Sequence, residues 1–343
     1  MHLADRLGRP LADLRLSVTD RCNLRCSYCM PEEEYRWLPR SDILRFEELT
    51  TLVRAFVGCG VEDVRLTGGE PLLRRDIEQL VTMLRGIDGL RDLSMTTNGL
   101  LFAPMAARLK AAGLDRITIS LDTLQPERFR TLARREGLPQ VLASLEAAQA
   151  HGFRHTKIDT VLVRGINDDE IVPLFEHARS VGAEIRYIEY MDVGGATHWS
   201  LDKVVPASEI LAVLERTYGP ARRVEVESRA PAKRWLLADG TVFGIVASTT
   251  QPFCGTCDRS RVTADGMWFH CLYATHGTNL RALLRAGATN EELMDALRHG
   301  WRAREDRGAQ LRLEAQAQAE RGTLAERATL RDNPHLEMHT RGG

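Results

Sequence analysis

The chain has 343 residues, of which 43% are hydrophobic and 27% charged, and a formal net charge of −1. These proportions are ordinary for a globular protein and exclude a strongly basic nucleic-acid binder. No apolar run approaches the length of a membrane span, and the N-terminus lacks the apolar core of a secretory signal. We therefore expect a cytoplasmic protein without membrane or nucleic-acid partners.

Strand-like and helix-like segments alternate through the first half of the chain. Apolar residues recur at helical spacing between the strand-like segments, and several helical segments close with glycine. The repeated β-then-α unit predicts a parallel sheet with helices outside it. Because six units are fewer than the eight of a complete barrel, an open, incomplete barrel is favoured, with a doubly wound sheet as the alternative. The predicted strands are Asp13 to Val18, Val61 to Thr67, Leu93 to Thr97, Arg116 to Leu121, Lys157 to Val163 and Glu184 to Met191.

The pattern changes after about Gly194. Residues 222–230 and 234–246 alternate in polarity and contain an Ala-Asp-Gly turn signal, which predicts antiparallel hairpins. A charged helical region follows, with one long helix expected from about Glu291 to Leu330 as a partly packed appendage. We therefore divide the chain into residues 1–193 and 194–343.

Three of the seven cysteines, Cys22, Cys26 and Cys29, lie in one loop directly after the first predicted strand. In a reducing compartment such a group indicates metal binding or catalysis rather than disulfides. A structural zinc site needs four ligands, and a 4Fe–4S cluster is normally held by four cysteines. Three thiolates would leave one iron of a cluster open, in a loop where barrel enzymes place their active sites.

A second group of three cysteines, Cys254, Cys257 and Cys271, lies in the C-terminal half. On spacing alone, a zinc site completed by His270 or His276 is one interpretation. Cys59 stands apart from both groups, and we expect it to be a small buried residue at the end of a helix.

The first cysteine group resembles the C-x3-C-x2-C motif of the radical S-adenosylmethionine superfamily. Further motifs follow in that family's order: TGGEP after the second strand, then TTNG and SLD at the ends of the next two. The resemblance implies a 4Fe–4S cluster on these three cysteines, with S-adenosyl-L-methionine bound at its open iron. The contacts that it implies for S-adenosyl-L-methionine are Tyr28, Gly69, Ser120 and Met191.

The segments RLSVTDRCNLRCSYCMP, VRLTGGEPLLR, IRYIEYMD and CGTCDRSRVTADG, with a closing double glycine, are similar to the GTP 3′,8-cyclase family of molybdenum cofactor biosynthesis. This similarity covers nearly the whole chain. It implies an incomplete (βα)6 triosephosphate-isomerase-type barrel, with a C-terminal antiparallel β and helical region covering its mouth. It also implies a second 4Fe–4S cluster on Cys254, Cys257 and Cys271, where the guanine base binds.

The reaction implied by the resemblance converts GTP to (8S)-3′,8-cyclo-7,8-dihydroguanosine 5′-triphosphate, the first step of molybdenum cofactor biosynthesis. A 5′-deoxyadenosyl radical takes the hydrogen from ribose C3′, and the C3′ radical attacks guanine C8. The implied partners are a reducing electron donor and a downstream cyclic pyranopterin monophosphate synthase. We expect a homodimer or a monomer.

A triphosphate requires cations, preferably arginines in fork geometry. Basic residues occur on four predicted strands and in an Arg-Ser-Arg segment after Cys257. Any one of them could instead face solvent or form a structural ion pair. The resemblance assigns GTP binding to Arg15, Arg65, Thr96, Lys157, Arg259, Ser260 and Arg261, with Arg186 as an addition.

The chain ends Arg341-Gly342-Gly343. The resemblance implies that this tail reaches into the active site and helps to build it, so all three residues are catalytic candidates. Arg341 stands where the family more often has an apolar residue, and a frayed terminus is the alternative. Two other functions remain open: a different radical S-adenosylmethionine enzyme, such as a peptide-modifying one, and a non-catalytic zinc- or iron-binding regulator.

Overall fold

The six predicted strands are present, and each begins and ends within two residues of its prediction. The structure is a computed structural model that describes residues 3–225, 229–317 and 327–342. The strands are β1 (Asp13–Ser17), β2 (Asp63–Thr67), β3 (Asp92–Thr97), β4 (Arg116–Ser120), β5 (Lys157–Leu162) and β6 (Glu184–Glu189).

Helices connect these strands, as the apolar periodicity predicts. Two helices were not predicted: the fourth, which begins at Pro126, and the seventh, which lies beyond Gly194. Proline suits a first helical position because that position needs no backbone N–H donor. The first seven helices are α1 (Phe46–Gly58), α2 (Ile77–Arg85), α3 (Ala106–Ala111), α4 (Pro126–Ala133), α5 (Leu138–Ala150), α6 (Ile171–Ser180) and α7 (Ala207–Tyr218).

The C-terminal half adds strands to both edges of the same sheet. These strands are β7 (Arg222–Arg223), β8 (Lys233–Leu236), β9 (Val242–Val246), β10 (Arg259–Val262), β11 (Met267–Phe269) and β12 (Thr278–Asn279). The sheet order is β12-β11-β10-β1-β2-β3-β4-β5-β6-β9-β8-β7. The predicted hairpin character is confirmed, because β7, β8 and β9 pair antiparallel. Two strands go beyond the prediction: β9 pairs parallel with β6, and β10 pairs parallel with β1.

The expected single long helix from Glu291 to Leu330 is wrong where the structure describes it. Helix α8 (Leu280–Arg285) is followed by α9 (Asn290–Ala303), α10 (Gly308–Ala317) and α11 (Arg327–Asp332). The break after α9 has a local cause. Arg304 has an extended backbone (φ −64°, ψ 133°), and its side chain is 1% exposed and enters the protein interior. Residues 318–326 lie outside the described ranges.

Helix α9 belongs to the main hydrophobic core. Its residues Leu293, Leu297 and Trp301 are buried in the core that also contains the apolar residues of β1 to β6. Cys59 is buried at the end of α1, as expected, and its thiol donates to the carbonyl oxygen of Met294 at 3.6 Å. Among the helices in the described ranges, none is long and apolar enough to cross a membrane.

Replacing Leu297 with Ala should destabilise the whole protein, because its side chain is 1% exposed in the shared core. A buried Leu→Ala substitution costs about 2–5 kcal/mol. The measurement is the midpoint of urea unfolding followed by circular dichroism. Leu311→Ala is the matched control, because Leu311 is 51% exposed and its truncation should change little. Equal midpoints for both variants would show that α9 is peripheral.

Candidate active site

The segment Gly68-Gly69-Glu70, which follows β2, holds the first cysteine loop in place. The Gly69 N–H donates to the carbonyl oxygen of Thr19 at 2.9 Å, and the Glu70 N–H donates to that of Arg21 at 2.7 Å. A Cβ on Gly69 would lie 2.3 Å from the Arg21 carbonyl oxygen, and Gly68 has φ +135°. Both positions therefore require glycine, because the two backbones approach too closely for a side chain.

The first cysteine group lines a cavity of about 140 Å³, here called the first lobe. The Tyr28 hydroxyl donates to Asp122 Oδ2 at 2.7 Å, and the Asn98 amide lies 3.9 Å from the Cys22 sulfur. The residues predicted for this region that line the lobe are Cys22, Cys26, Cys29, Tyr28, Gly69, Thr96 and Ser120.

The thiols of the first group lie in an environment that opposes a free thiolate. Burial raises the pKa of Cys22 to about 11. Burial also raises the pKa of Cys26 and Cys29, and neighbouring carboxylates and thiols act in the same direction. Cysteine thiols must lose their protons to bind metal. A metal at this site would therefore have to displace the protons of these three thiols.

The second cysteine group lines an adjoining cavity of about 240 Å³, here called the second lobe. The residues that line both lobes are Tyr28, Thr96, Ser120 and Met338. The two cysteine groups thus lie on two adjoining cavities that share walls. No such proximity follows from their separation of more than 220 residues in the sequence.

Cations surround the second group, in contrast to the first. Arg259 Nη2 lies 3.4 Å from the Cys257 sulfur, and Arg304 Nη2 lies 3.6 Å from it. Burial alone would raise the pKa of Cys257, but these two guanidinium groups outweigh burial and lower the pKa to about 7. Cys257 therefore favours thiolate at neutral pH more than the first group does, whereas burial raises the pKa of Cys271.

Buried arginines on adjacent strands face the second lobe. Arg15 on β1 is in register with Arg65 on β2 and with Arg261 on β10. Burial, followed by the repulsion of neighbouring arginines, lowers the pKa of Arg15 and lowers that of Arg261 to about 10. In the described part of the chain, the buried Nε atoms of Arg15, Arg65 and Arg259 have no hydrogen-bond partner. Unpartnered buried donors and mutual repulsion both favour an anion at this position.

Of two further basic residues predicted for GTP binding, Arg186 lines the second lobe and Lys157 lies below it, nearer the start of its strand. Arg186 on β6 lines the second lobe and lies 3.5 Å from Glu184. Lys157 lies on the same face of β5 as the lobe-lining Asp159, two residues nearer the start of the strand. Burial, followed by the charges of Arg186 and other arginines, lowers the pKa of Lys157 to about 7.

Two predicted site residues have side chains in unexpected places. The Ser260 hydroxyl accepts a hydrogen bond from Trp268 Nε1, and both residues are buried. Because successive strand residues point to opposite faces, Ser260 faces away from the lobe that Arg259 and Arg261 line. Met191, predicted to contact S-adenosyl-L-methionine, lines the second lobe.

The C-terminal tail is docked and does not fray. Arg261 Nη1 donates to the carbonyl oxygens of Arg341 at 3.2 Å and Gly342 at 2.9 Å. The Arg341 guanidinium donates to the carbonyl oxygens of His335 and Leu272 and lies 4.2 Å from the Phe269 ring centroid. This side chain therefore ties the tail to the second cysteine loop. Gly343 lies outside the described residues.

A carboxylate layer at the start of the central strands was not predicted from the sequence. Asp13, Asp63 and Asp92 are in register on β1, β2 and β3, two residues before the arginine layer. Burial, followed by the charges of Asp92 and Asp13, raises the pKa of Asp63 to about 6. The repeated Asp-x-Arg at the start of two strands was the available signal. The first lobe also includes Asp122 and His339, neither of which was singled out as a binding residue.

The cysteine groups fit iron–sulfur clusters better than zinc. In the described part of the chain, all seven cysteines are free thiols, and no three Cys, His, Asp or Glu side chains converge on a point that could hold one metal ion. A zinc ion needs such convergence. In a cluster each cysteine binds a different iron, so three thiols spread around one cavity suit it. His270 is partly buried, and this burial lowers its pKa to about 4.

Comparison with known proteins agrees with this donor set. The profile described as "Radical SAM superfamily" matches residues 16–178, and "Molybdenum Cofactor Synthesis C" matches residues 183–310. A GTP 3′,8-cyclase 1 of Mycobacterium tuberculosis is 55% identical, over 100% of this chain and 96% of that protein. The chain belongs to the GTP 3′,8-cyclase family. The GTP 3′,8-cyclase of Acidothermus cellulolyticus is 46% identical over 90% of this chain and 88% of that protein. The GTP 3′,8-cyclase of Staphylococcus aureus is 40% identical over 89% of this chain and 92% of that protein.

A solved structure supports the fold assignment. Streptococcus suis SuiB bound to S-adenosylmethionine superposes with a TM-score of 0.58 at 16% identity, covering 84% of this chain and 68% of SuiB. As a member of the GTP 3′,8-cyclase family, the protein is a radical S-adenosylmethionine enzyme of molybdenum cofactor biosynthesis. The family's cofactors are S-adenosyl-L-methionine and two 4Fe–4S clusters. Membership of this enzyme family excludes the alternative function of a non-catalytic zinc- or iron-binding regulator.

Replacing Gly342 with Ala should release the tail. Gly342 has φ +63°, and a Cβ there would lie 1.8 Å from Thr67 Oγ1. Hydrogen exchange of the peptide covering residues 335–343, followed by mass spectrometry, should accelerate strongly. Gly152→Ala is the matched control, because Gly152 has φ +70° but open space around it. The control carries only the strain of about 1–2 kcal/mol for a left-handed residue. Unchanged exchange in Gly342→Ala would mean that the tail does not depend on this close contact.

Proposed function

We propose that this protein converts GTP to (8S)-3′,8-cyclo-7,8-dihydroguanosine 5′-triphosphate. The observation that carries the proposal is the pair of adjoining lobes, with a cysteine group on each and buried arginines facing the second. We further propose that the parallel strands form an incomplete (βα)6 barrel whose mouth the region 194–343 covers. The two lobes would then form one closed reaction chamber.

The first lobe is assigned to S-adenosyl-L-methionine. Cys22, Cys26 and Cys29 would hold the first cluster, leaving one iron for the methionine group. Gly69 already has its backbone against the cysteine loop, so methionine can approach without a side chain in the way. Tyr28 is fixed by its bond to Asp122 and offers an aromatic face. Ser120 lies on both lobes, where cofactor and substrate would meet.

The second lobe is assigned to GTP. Cys254, Cys257 and Cys271 would hold the second cluster, and the guanine base would bind there. The triphosphate would be held by cationic side chains. Some of these have buried N–H groups without a hydrogen-bond partner, and the others lie at the same level of the sheet. The residues assigned are Arg15, Arg65, Thr96, Lys157, Arg186, Arg259 and Arg261, with Ser260 contributing through its backbone. Met191 lies on the wall of the same lobe and is assigned to S-adenosyl-L-methionine.

S-adenosyl-L-methionine bound at the first cluster would supply, on reductive cleavage, the radical that takes the hydrogen from ribose C3′ of GTP, so that C3′ could join guanine C8. The residues of this chain orient the ribose and exclude water. Thr96 accepts a hydrogen bond from Arg65 at 3.2 Å and borders both lobes, so it can position the sugar. Arg341 and Gly342 close one side of the chamber through their contacts with Arg261.

We also propose two partners on chemical grounds. The reaction would consume one electron to cleave S-adenosyl-L-methionine, and a second electron with a proton to quench the radical left on the base after C3′ joins C8, so it needs a reducing electron donor. The cyclised triphosphate requires further rearrangement, which a cyclic pyranopterin monophosphate synthase would perform. The protein itself would act in the cytoplasm as a monomer or a homodimer.

The decisive experiment incubates the anaerobically reconstituted protein with GTP, S-adenosyl-L-methionine and dithionite. The cyclised nucleotide and 5′-deoxyadenosine should both form. A Cys22→Ala variant should form neither, whereas Cys271→Ala should form some 5′-deoxyadenosine without the cyclised product. Cys59→Ala is the control, because Cys59 lies outside both groups. Cyclised product from Cys271→Ala would overturn the two-cluster assignment, and none from the wild type would overturn the function.

Binding of GTP should take up a proton at pH 8. The pKa of Lys157 is lowered to about 7, so this side chain is mostly neutral at pH 8 and already charged at pH 6. A bound triphosphate favours the charged form and raises the pKa. Calorimetry in two buffers of different ionisation enthalpy measures the uptake. Lys157→Arg remains charged and should abolish it. Equal uptake by both proteins would show that Lys157 does not sense the phosphates.

A further inference from the structure

A buried ionic cluster joins the N-terminal segment to the residue that follows α9. Arg9 Nε lies 2.6 Å from Asp5 Oδ2, and Arg304 Nη1 lies 3.3 Å from the same oxygen. The three side chains are each at most 1% exposed. We call Asp5, Arg9 and Arg304 the buried triad. Two guanidinium groups and one carboxylate leave a net positive charge in the interior, which is unfavourable unless negative atoms face it.

The guanidinium N–H groups that have partners outside the triad bond to the second cysteine loop or to Asp306. Arg9 Nη1 donates to the carbonyl oxygens of Cys254 at 2.9 Å and Asp306 at 2.7 Å. Arg304 Nη1 donates to the carbonyl oxygen of Cys257 at 2.8 Å. The two guanidinium groups therefore fix the backbone of two of the three cysteines.

Arg304 differs from Arg9 in one respect that matters for chemistry. Its Nη2 lies 3.6 Å from the Cys257 sulfur, whereas the recorded contacts of Arg9 are with Asp5 and with carbonyl oxygens. Hydrogen bonds and positive charge at a cysteine sulfur are recognised means by which proteins set the reduction potential of an iron–sulfur cluster. One-electron reduction adds negative charge to a cluster, so a fixed cation beside a ligand sulfur favours the reduced form.

The triad is itself rigidly held. Trp301 Nε1 donates to the Arg9 carbonyl oxygen at 3.1 Å, and the Arg6 N–H donates to that of Arg304 at 3.2 Å. Asp5 Oδ1 also accepts from the backbone N–H groups of Leu7 and Arg9, each at 2.9 Å. Because the carboxylate is fixed by the backbone, it orients both guanidinium groups toward the cysteine loop.

We propose that the buried triad positions the second cysteine loop and that Arg304 raises the reduction potential of the cluster held there. This inference rests on the proposed function, because it requires a cluster on Cys254, Cys257 and Cys271. Asp5, Arg9 and Arg304 are positioning residues and do not contact the substrate. Arg9 acts on loop geometry alone, and Arg304 acts on both geometry and potential.

The test uses the full-length chain with Cys22, Cys26 and Cys29 changed to Ala, so that only the second cluster gives a signal. The midpoint potential is followed by electron paramagnetic resonance during a redox titration, with iron content measured in parallel. Arg304→Gln should shift the potential to more negative values. Arg9→Gln should lower the iron content with a smaller shift in potential. Arg302→Gln is the matched control, because Arg302 is exposed two residues away and should change neither quantity.

Arg304→Lys keeps the charge but loses the planar fork, and serves if Arg304→Gln does not fold. It should shift the potential in the same direction by a smaller amount. An unchanged potential in the folded Arg304 variants would overturn the role in tuning, since a purely structural residue would affect stability and iron content alone. A parent protein without any cluster signal would overturn the proposed function and the tuning role together, which distinguishes the two failures.

Discussion

Positive charge buried on the inner face of the central strands is the constraint on which the site depends. Arg15, Arg65 and Arg261 lie side by side on adjacent strands, where Arg261 is buried and Arg15 and Arg65 are partly buried. Guanidinium groups remain charged in proteins, so the repulsion among them cannot be relieved by losing protons. The carboxylate layer of Asp13, Asp63 and Asp92 balances part of this charge from one side, and a polyanion would balance it from the other. The interior of the sheet thus favours a phosphate-rich ligand through its charge distribution.

The two cysteine groups are held by different physical means. The first loop is fixed by backbone contacts: Gly69 and Glu70 donate to it, and its own N–H groups at Arg25 and Ser27 donate to the end of α4. The second loop is fixed mostly by guanidinium groups that reach carbonyl oxygens and one sulfur. This difference accounts for the opposite pKa directions of Cys22 and Cys257. The first environment is dry and contains carboxylates, and the second places two guanidinium groups beside Cys257.

The sequence allowed prediction of the features that depend on local pattern. The six strands β1 to β6 follow from β-branched segments between helical periods, and the β8–β9 hairpin follows from its Ala-Asp-Gly turn. The parallel pairing of β9 with β6 and of β10 with β1 could not be predicted, because it joins segments far apart in the chain. A pattern of alternating polarity specifies a strand but not its neighbour.

In the site, too, local motifs could be predicted from the sequence, whereas features that depend on distant contacts could not. The cysteine groups and the Arg259–Arg261 segment were recognisable as motifs, and their assignments to cofactor and substrate remain predictions. The inward or outward direction of Ser260 depends on the register of β10, which no motif encodes. The roles of Asp5, Arg9 and Arg304 were invisible in the sequence, because their contacts join distant segments. Arg9 lies 245 residues from Cys254, and Arg304 lies 299 residues from Asp5 and 47 residues from Cys257.

The arrangement of partners around the two loops also sets an order of biosynthesis. The backbone groups that bind the first loop at Thr19, Arg21, Arg25 and Ser27 have all been translated once Ala133 leaves the ribosome. The second loop contacts the N-terminal segment but also needs Arg304, which emerges near the end of translation. A nascent chain can therefore form the backbone contacts that hold its first cysteine loop long before those of the second loop, whereas Met338 and His339 complete the first lobe only at the end of translation. Machinery that delivers iron and sulfur would meet two loops whose backbone contacts form at different times.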